Sequence, residues 1–589
     1  MKILGINAYH GDSSACLVVD GILVNAIEEE RIRRIKHWAG FPIESIKWCI
    51  SNAGLSITDI DYIAISRDPS AHLHKKILRT LIKTPSVDFI KNRISNLSKI
   101  STVKTAIATG FNLDISDIKA QVKNVEHHKS HIASTFFVSP FDEAACITVD
   151  GFGDFLSTMR AFGKGTNIKI YDWVEYPHSL GIFYTALTQY LGFKNYGDEY
   201  KVMGLSAYGK PVYLEKMRGI VKLKKNGLFE LDTTFFNHTN QGTQMMWENG
   251  KPEIDILYSD KLIDCFGKSR LNNDDEITRY HMDLASSIQA MYEEVFFHIL
   301  NDFFYKTNCE SITLAGGCIQ NSLANGKIKD KTKFKNIYIP PASYDAGTAI
   351  GASIYVWYKI SNSNRSFVME SPYLGPKYKE QEIKDCIENH NLELAKMNCK
   401  IELVKDELEL CKKTAKLIEN GNVIGWFQGM SEFGPRALGN RSIVCDPRKP
   451  EMKDILNERI KRREWFRPFA PSILEEKVSE WFECMKDDSV PFMEKVFMIK
   501  ETKQKLIPAV CHMDGTGRLQ TISSKLNPKY YNLIKEFENL TGVPIILNTS
   551  FNENEPIVNT PSEAIECFIR TKMDNLVLED FLITKNHKK

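Results

Sequence analysis

Two histidines and two aspartates in this sequence have the residue types and spacing of a metal site. His127 and His131 are four residues apart in NVEHHKSHIAS, so on a helix they share one face, one turn apart. Asp150 directly follows the apolar run AACITV, and Asp345 lies at a predicted helix start. Two imidazoles and two carboxylates suit a borderline divalent ion, and the residue types leave Fe(II), Mn(II) and Zn(II) open. Without the carboxylates, a histidine pair at this spacing is more often a surface or core feature than a pair of ligands.

The first predicted turn of the chain carries a candidate general base. His10 and Asp12 lie in NAYHGDSS, between two apolar runs that predict strands. A turn histidine with a carboxylate nearby is the simplest base at neutral pH. Asp, Ser and Gly also favour tight bends, so the same stretch fits ordinary turn chemistry equally well.

A set of cations in the C-terminal part of the chain predicts an anion site. Arg436 and Arg441 lie in GWFQGMSEFGPRALGNRS, a Gly- and Pro-rich bend that follows an apolar strand. Arginine forks and hydroxyls that converge on one place suit phosphate. The further candidates are Arg448, Lys461, Arg467, Arg518, Asn548, Thr549, Ser550 and Asn552. Solvated charge explains Arg462 and Arg463 well. It explains the arginines in FGPRALG and WFRPFAP poorly, because a guanidinium buried among apolar residues needs an anion.

Strand–turn–strand units must position the N-terminal candidates. KILGINAY, ACLVVD and ILVNAI predict strands, and AACITVD, FLSTMRAFG and IKIYDWVEY repeat that layout later in the chain. Actin-like ATPase folds are built from such a duplicated unit, with the two tips facing the phosphates of a nucleotide. Residues 281–306 predict a long helix, and SITLAGGC predicts a buried strand that ends in a Gly-Gly turn. The polar residues 361–380 predict a domain boundary, followed by an α/β or α+β domain.

Composition narrows the class of protein. The 589 residues are 43% hydrophobic and 25% charged, which is typical of a soluble multidomain protein. A net charge of +2 gives no overall basic field for nucleic acid, and the 13 cysteines never occur as Cys-x-x-Cys, which argues against a zinc ribbon. The N-terminus lacks a signal-peptide pattern, and no uncharged apolar stretch approaches the roughly 20 residues of a membrane helix, so we expect a cytoplasmic protein. The basic stretch 75–104 fits a solvated face or lid better than a membrane or nucleic-acid contact.

Motifs spread over nearly the whole chain resemble one family. GINAYHGDSSA, HHKSHIAS, TVDGFGD, GDEYKVMGLSAYGKP, LAGGCIQNSLANGKI, GPRALGNRS, REWFRPFAPS and NTSFNENEPIV occur in order. They resemble the O-carbamoyltransferases of the nodulation protein NodU and cephalosporin-biosynthesis CmcH type. The resemblance implies an α/β chain in which a duplicated actin-like (ASKHA) domain, residues 1–365, precedes a YrdC-like domain, residues 366–589.

The resemblance also implies a reaction in two steps. The C-terminal domain would use ATP, with Mg for the nucleotide, to convert carbamoyl phosphate into carbamoyladenylate. The N-terminal domain would then move the carbamoyl group to a hydroxyl of a small molecule such as a natural product or sugar. Fe(II) is the metal that the family implies for His127, His131, Asp150 and Asp345.

Residue roles follow from the same resemblance. The catalytic residues would be His10 as base, Asp12, Arg436 and Lys461, although the glycine inserted before Asp12 leaves its role open. The nucleotide and carbamoyl phosphate would be bound by Gly316, Gly317, Asn321, Arg436, Lys461, Arg467, Arg518, Asn548, Ser550 and Asn552. A homo-oligomer is compatible with the sequence, which identifies neither the acceptor nor the oligomeric state.

Three other functions share features with this sequence. A tRNA threonylcarbamoyl-type enzyme would use both domain types but needs a basic surface, for which only residues 75–104 qualify. The carbamoyltransferase that matures hydrogenases carries Cys-x-x-Cys zinc fingers, which are missing from this sequence. A non-catalytic nucleotide-binding protein would be favoured by loss of His10 or of the metal set, and all of these residues are present.

Overall fold

The computed structural model describes residues 1–76, 102–241, 245–246, 248–270, 276–486 and 488–586. Most of the basic stretch 75–104 lies outside these residues, so its interpretation stays a prediction. The chain divides into two compact units. The first comprises Met1–Ala324 and Ile328–Met369, and the second comprises Asn325–Lys327 and Glu370–Lys589. No helix in the described part of the chain is both long and apolar enough to span a bilayer.

The first sheet of the first unit has the order β3-β2-β1-β4-β5. Its strands are β1 (Lys2–Asn7), β2 (Ser14–Val19), β3 (Ile22–Glu28), β4 (Tyr62–Ile65) and β5 (Gln121–Asn124). Strands β1 to β3 are antiparallel, β4 runs parallel to β1, and β5 runs parallel to β4. The ends of β1 and β4 therefore emerge at the same edge of the sheet.

The second sheet repeats this topology with the order β8-β7-β6-β9-β10. Its strands are β6 (Glu143–Gly153), β7 (Leu156–Lys164), β8 (Asn167–Glu175), β9 (Ser311–Ala315) and β10 (Asn336–Tyr338). Strands β6 to β8 are again antiparallel, and β9 and β10 again extend the sheet in parallel. Because order and direction agree strand by strand, the predicted duplication of an actin-like unit is confirmed.

Helices cover and connect these two sheets. Those of six or more residues in the described part are α1 (Ile43–Asn52), α2 (Val103–Phe111), α3 (His127–Phe136), α4 (Leu180–Tyr190), α5 (Glu199–Ser206), α6 (Leu214–Ile220), α7 (Asp260–Phe266), α8 (Arg279–Thr307) and α9 (Thr348–Ser361). Helix α8 is the long helix that the sequence predicts. Helix α9 packs against α3 and β1, which brings the start of α9 close to the first turn of the chain.

The second unit is built around one mixed sheet with the order β11-β19-β18-β12-β13-β17-β14-β16-β15. Its strands are β11 (Cys399–Leu403), β12 (Ile424–Phe427), β13 (Arg441–Cys445), β14 (Ala470–Leu474), β15 (Lys495–Met498), β16 (Thr516–Ile522), β17 (Ile545–Ser550), β18 (Asn575–Leu578) and β19 (Phe581–Lys585). Its longer helices are α10 (Glu380–Asn389), α11 (Asn391–Lys396), α12 (Glu407–Glu419), α13 (Pro528–Thr541) and α14 (Pro561–Arg570).

Apolar strands explain why this sheet lies in the core. Every residue of β12, β13 and β14 is buried, and a single hydrophobic cluster spans the sheet and its helices. Strands buried on both faces are near-continuous apolar runs, as NVIGWF and VPIILNT are. The predicted α/β fold class is therefore confirmed for both units.

Candidate functional site

Helix α3 presents two imidazoles side by side in the first unit. Glu126 caps the helix by accepting hydrogen bonds from the backbone N–H groups of His128 and Lys129 at 3.0 and 2.8 Å. His127 and His131 are buried, with their Nε2 atoms 3.1 Å apart. The predicted helical spacing therefore does bring the two rings to one face.

The two predicted carboxylates reach the same point. Asp150 Oδ2 lies 3.0 and 3.1 Å from the Nε2 atoms of His127 and His131, and Asp345 Oδ1 lies 3.7 and 3.3 Å from them. One donor atom from each of the four residues lies within 4.8 Å of the other three, and all four residues are buried. Two imidazole nitrogens and two carboxylate oxygens at this separation fit a divalent transition metal ion.

Electrostatics favour a cation at this centre. Burial alone would raise the pKa of Asp150, but the two histidines beside it hold that pKa well below its usual range. Burial alone would lower the pKa of His131, yet Asp150 and Asp345 raise it to about 9. The carboxylates therefore attract positive charge, which protons on the imidazoles or a metal ion can supply.

The tip of β6 is shaped to fit His127. A methyl group added at Gly153 would lie 1.9 Å from His127 Cδ2, so a side chain at Gly153 would displace the ring. The tip continues into Asp154 and Phe155, which have φ angles of 47° and 83°. Positive φ is unfavourable for a bulky residue such as Phe155, and strain of this kind is concentrated at functional sites.

His10 joins this cluster, whereas Asp12 is directed elsewhere. His10 Nδ1 contacts Asp345 Oδ2, and its ring centroid lies 5.2 Å from that of His127. Asp12 Oδ1 lies 2.7 Å from His37 Nδ1. Burial by itself lowers the pKa of His37, but Asp12 outweighs it and the pKa rises to about 9, so Asp12 is engaged by a cation of the protein.

The glycines after β9 support Asp150. Gly316 has a φ of 102°, and a methyl group there would lie 2.2 Å from the backbone oxygen of Val149. The backbone N–H of Gly317 donates to Asp150 Oδ1 at 3.0 Å. Both glycines thus lie beside the cluster, and their role in binding nucleotide or carbamoyl phosphate stays a prediction. Asn321 is buried and exchanges amide hydrogen bonds with Gln289 at 2.9 and 3.1 Å.

Four arginines converge in the second unit. Burial holds the pKa of Arg518 well below its usual range, and Arg436, Arg463 and Arg467 lower it further. Arg518 Nε is buried and has no hydrogen-bond partner among the described residues. Like charges packed together with an unpaired donor are costly unless an anion binds between them. The arrangement therefore fits a phosphate site.

Arg463 belongs to this group, and interpreting it as solvated charge is wrong. Its Nε donates to Asn457 Oδ1 at 2.8 Å, and its guanidinium lies 4.7 Å from the centroid of the Phe469 ring. A π-helix over Ile455–Ile460 and a φ of 44° at Arg462 turn the chain just before it. Such irregular turns are frequent at functional sites and are not visible as sequence periodicity. Arg462 is exposed and pairs with Glu553, as solvated charge should.

Arg441 does not belong to the anion site, so its grouping with Arg436 is wrong. Its side chain is fully buried and stacks on Phe427 at 3.6 Å. Its two terminal nitrogens donate to four backbone carbonyls, those of Pro376, Gln428, Gly429 and Asn440, at 2.5 to 3.0 Å. Arg441 therefore stabilises the bend between β12 and β13. Arg448 likewise pairs with the buried carboxylate of Asp446 at 2.7 Å.

The remaining predicted residues of the second unit form an internal network. Lys461 Nζ contacts the backbone oxygen of Ser550 and donates to the backbone and side-chain oxygens of Asn552 at 2.8 and 2.6 Å. Lys461 thus fastens the end of β17. Asn548 donates to Gln520 Oε1 at 2.9 Å, while Asn548 Oδ1 is buried without a partner among the described residues.

Comparisons with known proteins find relatives that match nearly the whole chain. Residues 2–354 match the family model for the carbamoyltransferase N-terminus, and residues 415–585 match that for the carbamoyltransferase C-terminus. The protein sll1178 of Synechocystis is 38% identical over 99% of this chain and 96% of its own length. The nodulation protein NolNO of Sinorhizobium fredii is 35% identical over 98% of this chain and 80% of its length. The nodulation protein U of the same organism is 26% identical over 94% of each chain. The resemblance seen in the sequence motifs is confirmed: this chain belongs to the carbamoyltransferase family and is a carbamoyltransferase.

Proposed function

We propose that this carbamoyltransferase is ATP-dependent and acts through carbamoyladenylate on an alcohol. The observation that carries the proposal is the presence of two different buried constellations. One unit gathers four arginines whose like charges act on one another, which suits phosphates. The other gathers imidazoles and carboxylates around a candidate base, which suits attack by a hydroxyl. We assign the two steps to residues 366–589 and 1–365, respectively.

The arginine cluster would make the activated intermediate. Carbamoyl phosphate loses its phosphate to water to give carbamate, which attacks the α-phosphorus of ATP and expels pyrophosphate. Arg436, Arg463, Arg467 and Arg518 would bind the anions and neutralise charge as it moves to the leaving oxygens. Asn548 Oδ1 offers a buried acceptor that can position the carbamoyl amide. Shielding from water matters because both carbamoyl phosphate and carbamoyladenylate hydrolyse readily.

His10 would then activate the acceptor. Because its Nδ1 faces Asp345, Nε2 is the ring nitrogen left to take the proton of the hydroxyl group. Burial lowers the pKa of His10, but Asp345 outweighs it, so that the pKa is raised and the imidazole is a stronger base. His127, His131, Asp150 and Asp345 would hold the metal ion, with Fe(II) the ion that the family resemblance implies. When bound, such an ion supplies Lewis-acid polarisation of a carbonyl or phosphate oxygen.

Two assays separate these steps. Exchange of labelled pyrophosphate into ATP, dependent on carbamoyl phosphate, reports the first step. Mass spectrometry of candidate hydroxyl compounds incubated with enzyme, ATP and carbamoyl phosphate reports the second through the mass gain of a carbamoyl group. We expect His10→Asn to retain exchange and to lose transfer, and Arg436→Ala to lose both. The matched control is His298→Asn, which removes a ring that bonds to the backbone oxygen of Lys224 among the described residues. Loss of exchange in His10→Asn would contradict the assignment of the two steps to different units. Unchanged exchange in Arg436→Ala would show that Arg436 is not part of the anion site.

A further inference from the structure

Arg67 lies at the edge of the first sheet where the candidate catalytic residues meet. It follows β4 by two positions, and β4 runs parallel to β1, which leads to His10. The backbone before it is fastened to the first sheet and to α9. Ser66 Oγ donates to Asn7 Oδ1 at 3.2 Å and accepts from Thr348 Oγ1 at 2.9 Å. Arg67 is thereby held relative to the start of α9, which follows Asp345.

The backbone after Arg67 is fastened to the helix that carries the imidazoles. Asp154 Oδ2 accepts hydrogen bonds from the backbone N–H groups of Asp68 at 2.8 Å and of His127 at 3.0 Å. One carboxylate oxygen thus ties the residue after Arg67 to the first residue of α3. The backbone of Arg67 is therefore flanked on both sides by residues that are bonded to the elements of the cluster.

The Arg67 guanidinium has donors available for an anion. Its Nη1 donates to the backbone oxygen of Tyr9 at 3.0 Å, the one hydrogen bond that it makes with the described residues. The group is close enough to Asp154, Asp345 and His10 for charges to act between them. The members of the cluster itself are imidazoles and carboxylates. A fixed, half-buried guanidinium with unused N–H groups is suited to a phosphate.

We infer that Arg67 is a further catalytic residue, which binds the phosphate of the adenylate in the first unit and neutralises it as AMP departs. The inference rests on the proposed function. In the transfer step the acceptor oxygen forms a bond to the carbamoyl carbon, and the bond from that carbon to the phosphate oxygen breaks. The electron pair stays on AMP and the proton of the acceptor passes to His10. AMP leaves with one more negative charge than its phosphate carried in the mixed anhydride, and Arg67 stabilises that charge.

Binding of AMP to the full-length chain tests this inference. Arg436→Ala serves as the background, because it weakens the anion site of the second unit. Isothermal titration with AMP then compares that background with the same chain carrying Arg67→Ala, Arg67→Lys or Arg218→Ala, the last being an exposed arginine paired with Glu294. We expect Arg67→Ala to weaken AMP binding at least tenfold, Arg67→Lys to weaken it less, and Arg218→Ala to leave it unchanged. Equal affinity for AMP with and without Arg67, or no binding of AMP to the background chain, would overturn the inference.

Pyrophosphate exchange distinguishes the possible failures. With Arg436 intact, we expect Arg67→Ala and Arg67→Lys to exchange pyrophosphate like the unaltered chain, because exchange is assigned to the second unit. If the unaltered chain shows no exchange dependent on carbamoyl phosphate, the proposed function fails and the inference falls with it. If exchange is normal but AMP affinity does not depend on Arg67, the inference alone fails. If Arg67→Ala abolishes exchange, Arg67 is not specific to the transfer step and the inference is again wrong.

Discussion

Replacing Arg441 should lower the free energy of unfolding of the second unit. Replacing Arg436, which lies in the same Gly-rich bend, should not. Arg441 is fully buried, and its guanidinium donates to four backbone carbonyls and stacks on Phe427. A hydrogen bond to a charged group contributes about 1.5–3 kcal/mol, and a desolvated cation–π contact about 2 kcal/mol. These contributions are not additive, because they share one side chain and the bend can relax. We therefore expect Arg441→Ala to lower the free energy of unfolding by about 4 kcal/mol, in the range of other large core effects.

Arg441→Lys should have an intermediate effect. Lysine keeps the charge and can reach some of the carbonyls, but it lacks the planar fork and stacks poorly on Phe427. We expect a loss of about 2 kcal/mol on the same grounds. The control is Arg436→Ala, which removes a cation from a cluster of like charges and should change the free energy of unfolding by less than about 1 kcal/mol.

Hydrogen exchange measured by mass spectrometry gives the local free energy of opening for peptides that contain β12 and β13. Urea unfolding of the full-length chain gives the global change, seen as a shift of about 1.5 M in midpoint for Arg441→Ala if the slope is about 2.5 kcal/mol/M. A loss below about 1 kcal/mol for Arg441→Ala would refute the argument that this residue supports the bend. An equal loss for Arg436→Ala would refute the distinction between the two arginines.

Three further outcomes are expected. In Gly153→Ala the added methyl group displaces His127, so the amount of Fe(II), Mn(II) or Zn(II) retained by the purified protein should fall at least tenfold, as measured by elemental analysis. Gly151→Ala should retain its metal, because a methyl group there meets no atom of the described residues within 4 Å. Burial lowers the pKa of His512 to about 4, below the ordinary value near 6.5. The unfolded chain therefore binds a proton at His512 more tightly than the folded chain does, and the free energy of unfolding should fall as the pH is lowered from about 6.5 to 4. His512→Gln should reduce that fall by up to about 3 kcal/mol in urea unfolding at several pH values, and an unchanged slope would contradict it. Inorganic phosphate should raise the unfolding midpoint of the unaltered chain but not that of Arg518→Met, because an anion bound between the arginines stabilises only the folded state.

Features that depend on neighbouring residues in the sequence were predictable. Apolar runs gave β12 and β17, 3.6-residue periodicity gave α8, and the spacing of His127 and His131 placed both rings on one face of α3. These predictions hold because strand and helix periods act over a few residues. Repetition of the strand layout was enough to suggest the duplicated unit, since each copy pairs its first three strands locally.

Features that depend on distant parts of the chain were not predictable from local patterns. Arg436 and Arg441 occur in the same Gly-rich bend, yet the charge of Arg436 acts on another arginine, whereas Arg441 donates to backbone carbonyls. The composition of the bend does not predict the side-chain orientation of either arginine. Arg463 was misinterpreted because a π-helix and a positive φ at the preceding residue, Arg462, redirect its side chain, and neither feature has a sequence period. The backbone just before Arg67 is held by a hydrogen bond between Ser66 and Thr348, 282 positions apart.

The separation of the four candidate ligands along the chain affects the order in which the protein matures. Two imidazoles and Asp150 are synthesised early, but Asp345 follows almost two hundred residues later, at the start of α9. A growing polypeptide on the ribosome therefore offers an incomplete set of ligands until that helix has emerged and docked. Capture of an ion that requires all four ligands would then be a late event in biogenesis.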